Sequence, residues 1–186
     1  MNERKNLIDL SNYTHSFSLK NKVARMIWNI SYWILFRPFN LGAFRLWRNF
    51  VLHLFGAKLH KQTNIYANVK IWAPWNLKMG AYATLGPNVD CYNQGKISIG
   101  AHTTISQKVY LCASSHDISD ANNNLILKPI EIEDQVWVAA DAFIGPGVKI
   151  KQGSVVGARS VVFKNVEPWA VVAGNPAKFI KNRELK

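Results

Sequence analysis

The chain has 186 residues, 48% of them hydrophobic and 18% charged, which is enough to bury a core without staples and far from the composition of a disordered chain. Peptide-hormone and knottin-like classes are excluded. Lys and Arg number 23 against 11 Asp and Glu, a formal charge of +12, so the surface attracts anions: nucleic acid, acidic lipid head groups or phosphorylated small molecules.

The opening MNERKNLIDLSNY is polar and lacks the apolar stretch and small-residue cleavage site of a secretory signal. Residues 1–60 hold nine Lys or Arg against Glu3 and Asp9, a net +7, together with Trp28, Trp33 and Trp47. Val23, Ile27, Ile30, Ile34 and Leu35 recur at helical spacing, as do Phe44, Trp47, Val51, Leu54 and Phe55. Helices are predicted over 20–36 and 42–55, broken at Pro38 and closed by Gly56. Apolar stripes on short helices ordinarily face a core, so these helices are expected to cap and pack on the domain that follows. The alternative is a basic, Trp-bearing surface that rests peripherally on an anionic membrane. The longest apolar run, Met26 to Phe36, is interrupted by Asn29 and Ser31 and falls well short of the roughly 20 residues a spanning helix needs.

From residue 61 a different period takes over. Ile132, Val138, Ile144, Ile150, Val156 and Val162 return every sixth position, with small or β-branched residues four further on at Val136, Ala142, Val148, Ser154, Ser160 and Val166. Earlier runs keep the spacing at Ile99, Ile105 and Leu111, and at Met79, Leu85 and Cys91. Six residues fit neither a helix nor a plain two-residue alternation. Short strands joined by tight turns do fit, with Gly80, Gly86, Gly100, Gly145, Gly147, Gly153, Gly157 and Asn165 at positions where the backbone must take angles closed to bulky residues. Three such units close one triangular coil, and stacked coils hide the aliphatic column. The prediction is an all-β solenoid, a parallel β-helix over 61–170, with a tail over 171–186.

The period breaks once, over SHDISDANNNLILKP, so that a polar loop at 116–129 protrudes from a rigid scaffold. His116 stands at its entrance. An imidazole there suits a general base near neutral pH; the structural alternative is a turn histidine bonded to backbone. Asp117 is placed either to orient His116, to bind a substrate or simply to solvate the loop. Asp90, Tyr92 and Asn93 precede the His116 coil by about one turn and offer carboxylate, phenol and amide groups suited to a sugar. Cys91 and Cys112 are too few for a disulfide framework or a zinc site and are expected to fill the prism wall. The cysteine usage and the missing signal point to the cytoplasm.

The stretch from His116 through KPIEIEDQVWVAADAFIGPGVKI to VVAGNPAKFIK resembles the maltose and galactoside O-acetyltransferase branch of the hexapeptide-repeat acyltransferases. VDCYNQGKISIGAHTTISQKVYLCASSHD is similar to acetyltransferases of colanic acid and related exopolysaccharide pathways. The resemblance covers roughly residues 55–183 and implies a left-handed β-helix, an exception to the usual right-handed crossover. It further implies acetyl-CoA as donor, His116 as catalytic base, and direct transfer to a sugar hydroxyl of a surface glycan or its lipid-linked precursor. Carried over by position, Ala140 and Ala158 meet the pantetheine end, Phe163 and Lys164 flank the nucleotide, and Lys178 and Lys181 meet its phosphates. Trp137 sits beside the loop as a substrate contact or a packed aromatic. The family assembles as homotrimers with the cofactor in a groove between subunits. Open alternatives are a sugar N-acetyltransferase of the same fold and a non-catalytic trimeric membrane scaffold. A three-histidine zinc site, as in gamma-type carbonic anhydrases, is poorly supplied by His102 and His116, so no metal is expected. No nucleic-acid-binding motif accompanies the positive charge.

Overall fold

The computed structural model describes residues 8–13 and 17–185, Asn12 by its backbone only; Glu3, Arg4 and Lys5 of the basic segment lie outside the described residues. From Lys58 onward the chain winds as a parallel β-helix with three faces. One face stacks Lys58–Leu59, Leu77–Met79, Ile97–Ile99, Ile130–Ile132 and Lys149–Ile150. The second stacks Asn64–Ile65, Thr84–Leu85, Thr104–Ile105, Trp137–Val138, Val155–Val156 and Ala170–Ala173, and is closed by the antiparallel strand Lys178–Asn182. The third carries Lys70–Ile71, Asp90–Tyr92, Tyr110–Cys112, Phe143–Ile144 and Val161–Val162.

Parallel register puts like on like. Met79, Ile99, Ile132 and Ile150 pair in succession on the first face, and Cys91, Leu111, Ile144 and Val162 on the third. All are buried, as are the corner residues Val136, Ala142, Val148, Ser154, Ser160 and Val166, so the sixfold spacing in the sequence is the interior of the prism. Outside the third face, Tyr92, Tyr110, Phe143 and Phe163 follow one another ring on ring at 5.6–6.0 Å.

The glycines serve the turns in a different way from the one expected. The left-handed corner positions are held mostly by other residues, Gln135, Asp141 and Arg159 among them, with Gly147 and Gly153 in the same series. Gly80 and Gly100 do not have positive φ; a Cβ on Gly80 would stand 2.7 Å from the Ala101 nitrogen and one on Gly100 2.3 Å from the Asp134 carboxylate. Those positions are small because the next coil approaches so closely.

Two helices precede the coils. Helix α1, Leu19–Ser31, starts on the Ser18 hydroxyl, which accepts from the Asn21 N–H, and runs on through a π-helical turn to Phe36. Helix α2, Arg45–Leu54, ends at Gly56 with φ +84°. Together they cover the open lower end of the β-helix. Trp28 Nε1 donates to the Ile71 carbonyl at 2.7 Å, Asn49 Nδ2 to Thr63 at 2.9 Å, and the buried Arg48 to the carbonyls of Ile65, Phe39 and Leu41. Carbonyls at the edge of the first coil thereby gain partners that water would otherwise have to supply.

On α1 the face that packs is not the one the helical spacing picked out, whereas on α2 Val51 and Phe55 of the expected stripe do pack. Trp28, Phe36, Val51 and Leu52 are buried, with Tyr32 and Phe55 packed against them. Val23, Ile27, Ile30, Ile34 and Leu35 are 37–61% exposed, and Phe44, Trp47 and Leu54 are exposed too. Helix α1 has two apolar faces: aromatics at 28, 32 and 36 fill the end of the prism, while the aliphatic stripe faces outward.

Candidate active site

The polar loop leaves the third face as a hairpin. Ser114–His116 pairs antiparallel with Leu125–Leu127, placing His116 opposite Leu125. The loop satisfies its own polar groups: Asp117 accepts from the Ser119 N–H and hydroxyl at 3.0 and 2.6 Å, and Asp120 accepts from the Asn122 N–H and the Asn124 side chain at 2.9 and 2.6 Å. Asn123, at φ +52°, turns its carbonyl to His116, with 2.7 Å between that oxygen and Nδ1. A carbonyl only accepts, so Nδ1 is the ring's donor and the neutral imidazole keeps Nε2 as its acceptor. Sequence-adjacent Asp117 takes no part in this. Its carboxylate caps Ser119, whose two hydrogen bonds hold it below the usual aspartate range; of the roles expected for it, the orienting bond to His116 is not made.

His116 lines a cavity of about 370 Å³ with Ser114 and Ser115 of its own strand, with Tyr92, Gln94 and Cys112 of the coils and with Lys22 and Arg25 of α1. Of the acceptor-side residues expected from the sequence, Tyr92 alone is in this lining. Its phenol accepts from Gln94 Nε2 at 2.8 Å, and burial raises its pKa. Asn93 is completely buried, and both ends of its amide are taken by the Ala73 backbone, at 3.0 Å from N–H and 2.6 Å to the carbonyl. It closes the wall between coils and presents nothing to a ligand. Asp90 stands outside the cavity beside Lys70, 4.0 Å away, its carboxyl raised by burial. Trp137 is half exposed on the second face, donating to the Ser106 hydroxyl at 3.0 Å, and is also outside the lining. Cys91 fills the wall as expected, burial pushing its thiol up; Cys112 does not, because its alternation faces the cavity.

Sequence reasoning missed Lys22, Arg25 and Trp72. The Arg25 guanidinium lies 3.6 Å from the Trp72 ring centroid, and desolvation lowers its pKa. No local signal links residues of α1 to a histidine some ninety positions on; only the packing of α1 across the first coil does.

The residues expected at a cofactor gather elsewhere. Phe163, Lys164 and Lys178 line a second cavity of about 360 Å³ at the last coils. Lys181 is on the same terminal strand, opposite Val171, outside that lining. Ala140 and Ala158 occupy turns of successive coils, and the Ala140 carbonyl accepts from the Arg159 N–H at 2.9 Å. An exposed aromatic ring with two ammonium groups suits a purine nucleotide with phosphates. Among the described residues no three His, Cys, Asp or Glu side chains converge as a metal-ligand group.

Comparison with known proteins bears on the fold and the family. No family model matches the chain. It is 49% identical over 137 residues to a protein of Escherichia coli K12 named for colanic acid biosynthesis, the acetyltransferase WcaF, covering 74% of this chain and 75% of that one. A crystal structure of a maltose O-acetyltransferase from Clostridium difficile 630 superposes with a TM-score of 0.78 at 27% identity, covering 95% of each chain. A hexapeptide-repeat acetyltransferase of Vibrio cholerae O1 biovar eltor, complexed with acetyl coenzyme A, superposes at 0.77 with 27% identity, over 91% of this chain and 92% of that one. With a sixfold-periodic prism, a histidine held at the mouth of its one protruding loop and these relatives, the chain belongs to the left-handed β-helix acetyltransferases of the hexapeptide-repeat family.

Proposed function

We propose that the protein transfers an acetyl group from acetyl-CoA to a hydroxyl of a sugar in surface-glycan biosynthesis, with His116 as general base. The observation that carries this reading is the 2.7 Å contact between His116 Nδ1 and the Asn123 carbonyl, which fixes the tautomer a base needs. Nε2 takes the proton of the acceptor hydroxyl as its oxygen attacks, and the imidazolium returns that proton to the departing sulfur. Bound acetyl-CoA supplies the thioester whose carbonyl carbon receives the oxygen and whose C–S bond breaks. Phe163, Lys164 and Lys178 would hold its nucleotide end. Similarity to a maltose O-acetyltransferase favours a hydroxyl over an amine, and similarity to a protein named for colanic acid biosynthesis favours a glycan acceptor.

His116 and Phe163 line different cavities of one chain. A homotrimer, in which the base of one subunit meets the donor groove of the next, completes the site. The outward aliphatic stripe of α1, flanked by Lys20 and Arg37 in a segment of net +7, is complementary to an anionic bilayer, on which the trimer would rest as a peripheral protein. Among the described residues no helix is long and apolar enough to cross a membrane.

The test is to incubate the full chain with acetyl-CoA and matched sugars that differ in carrying a hydroxyl or an amine at one carbon. Acetyl esters, labile to mild base, are the expected products; exclusive formation of amides would make the protein an N-acetyltransferase, and no transfer to any sugar would leave the scaffold reading.

A further inference from the structure

The cavity around His116 has a charge character that transfer to a neutral sugar does not call for. Lys22 and Arg25, one turn apart on α1, both line it, and among the described residues no Asp or Glu does. Among the described residues the lining therefore holds no carboxylate to pair with the two cations. Arg25 is also held in place. Its guanidinium lies on Trp72, and Trp72 in turn meets Phe17 at 4.9 Å and the edge-on ring of Tyr92 at 6.4 Å. Arg25 Nε is shielded from solvent and has no hydrogen-bond partner, a donor left unmade at the cost that attends any buried polar group. The guanidinium thus takes up ring surface of Trp72 on which a sugar could otherwise stack. Its role is to fix a cation.

We infer that Lys22 and Arg25 form an anion subsite beside His116, so that the acceptor is a glycan bearing a phosphate ester or a carboxylate next to the hydroxyl that is acetylated. An oxyanion there would pair with the planar fork of Arg25, the geometry in which arginine outperforms lysine, and take a second charge from Lys22. This rests on the proposed function for the reaction itself, but makes a separate claim about binding. Phosphate and carboxylate share the chemistry; the experiment tells them apart.

The experiment measures binding of glucose 1-phosphate, glucuronic acid and methyl glucoside to the full chain by calorimetry, and then competition of each in acetyl transfer. At least one charged sugar is expected to bind at least about tenfold more tightly than methyl glucoside, the scale of one charge-assisted bond, and the tighter of the two identifies the anion. Arg25→Gln should abolish the preference, Arg25→Lys should restore part of it, and Lys22→Gln, at an exposed position where folding is not at stake, should weaken it. The KM for acetyl-CoA should stay constant in all three. Equal binding of charged and neutral sugars overturns the inference even where transfer proceeds. A rise in the acetyl-CoA KM on Arg25→Gln overturns it too, by assigning the cations to the donor's phosphates. If instead the charged sugars bind tightly and His116→Ala leaves transfer intact, the anion subsite stands and the proposed base does not.

Discussion

His116 Nδ1 meets the carbonyl oxygen of Asn123 at 2.7 Å across the neck of the protruding loop, and Asn123 reaches that pose only with φ at +52°. Asparagine tolerates the left-handed region, glycine enters it at no steric cost, and a β-branched residue resists it. Asn123→Gly should therefore keep kcat within about twofold, whereas Asn123→Val should lower it about tenfold, the equivalent of about 1.4 kcal/mol in the barrier. The KM for acetyl-CoA should not move. Steady-state kinetics on both variants, with melting temperatures to show that the loop change is local, checks this.

Asn93 distinguishes wall from ligand. Asn93→Ala leaves the buried N–H and carbonyl of Ala73 without partners and should cost about 2–4 kcal/mol, read as a lower midpoint in urea with the slope unchanged. Its KM for the sugar acceptor should match that of the unsubstituted chain. A raised acceptor KM with unchanged stability would return Asn93 to the binding site.

Much of the fold was legible because a β-helix repeats one decision. Each rung sends one aliphatic residue inward and parallel register sets it on its like, so Ile132 to Val162 announce the prism by spacing alone. The helices carry no such redundancy. On α1 the aliphatic stripe and the aromatic series Trp28, Tyr32 and Phe36 are both periodic, and which one packs depends on the π-helical turn and on the end of a prism that local sequence does not describe. The site divides the same way. The break in the repeat marked the loop at whose entrance His116 stands, and its role as base came only from the resemblance; Arg25 lines the same cavity only through tertiary packing, and Asn93 looks like a sugar ligand until its amide is seen bonded to Ala73.

Arg48 ties helix α2 to the β-helix through the Ile65 carbonyl and to the connection between the helices through those of Phe39 and Leu41. Arg48→Met keeps most of the volume but orphans those acceptors. It should destabilise the protein by about 3 kcal/mol or more, in line with charge-assisted bonds of about 1.5–3 kcal/mol each. Hydrogen exchange should show the loss first in α1 and α2, with the upper coils still protected; uniform deprotection of all coils would mean that the helices and prism unfold as one unit.

Asp90 gives a pH signature. Burial raises its folded-state pKa above the ordinary 3.8, with Lys70 opposing, so the unfolded chain ionises first as pH rises. The carboxylate thus subtracts stability above that value and nothing well below it. Asp90→Asn should melt at a higher temperature than the unsubstituted chain at neutral pH, and the gap should close as pH falls below 3.8. Thermal scans across that range test it, and activity should be unaffected because Asp90 is outside the His116 cavity.

The outward stripe of α1 predicts a membrane contact. Ile27→Glu together with Ile30→Glu places two carboxylates on residues that are about half exposed, and should abolish flotation with vesicles containing anionic phospholipid while leaving transfer to a soluble sugar intact. Retained flotation contradicts the contact. A shift of the proposed trimer to monomer in sedimentation would show that the stripe meets a neighbouring subunit instead.

The most direct measurement of the central claim is the rate of acetyl transfer by His116→Ala, with acetyl-CoA and acceptor saturating, beside the unsubstituted chain. Loss of a positioned base predicts a fall in kcat of about 100-fold to 10,000-fold, with the melting temperature and the affinity for acetyl-CoA unchanged. A kcat within a few-fold of the original would show that the imidazole at position 116 does not carry the proton.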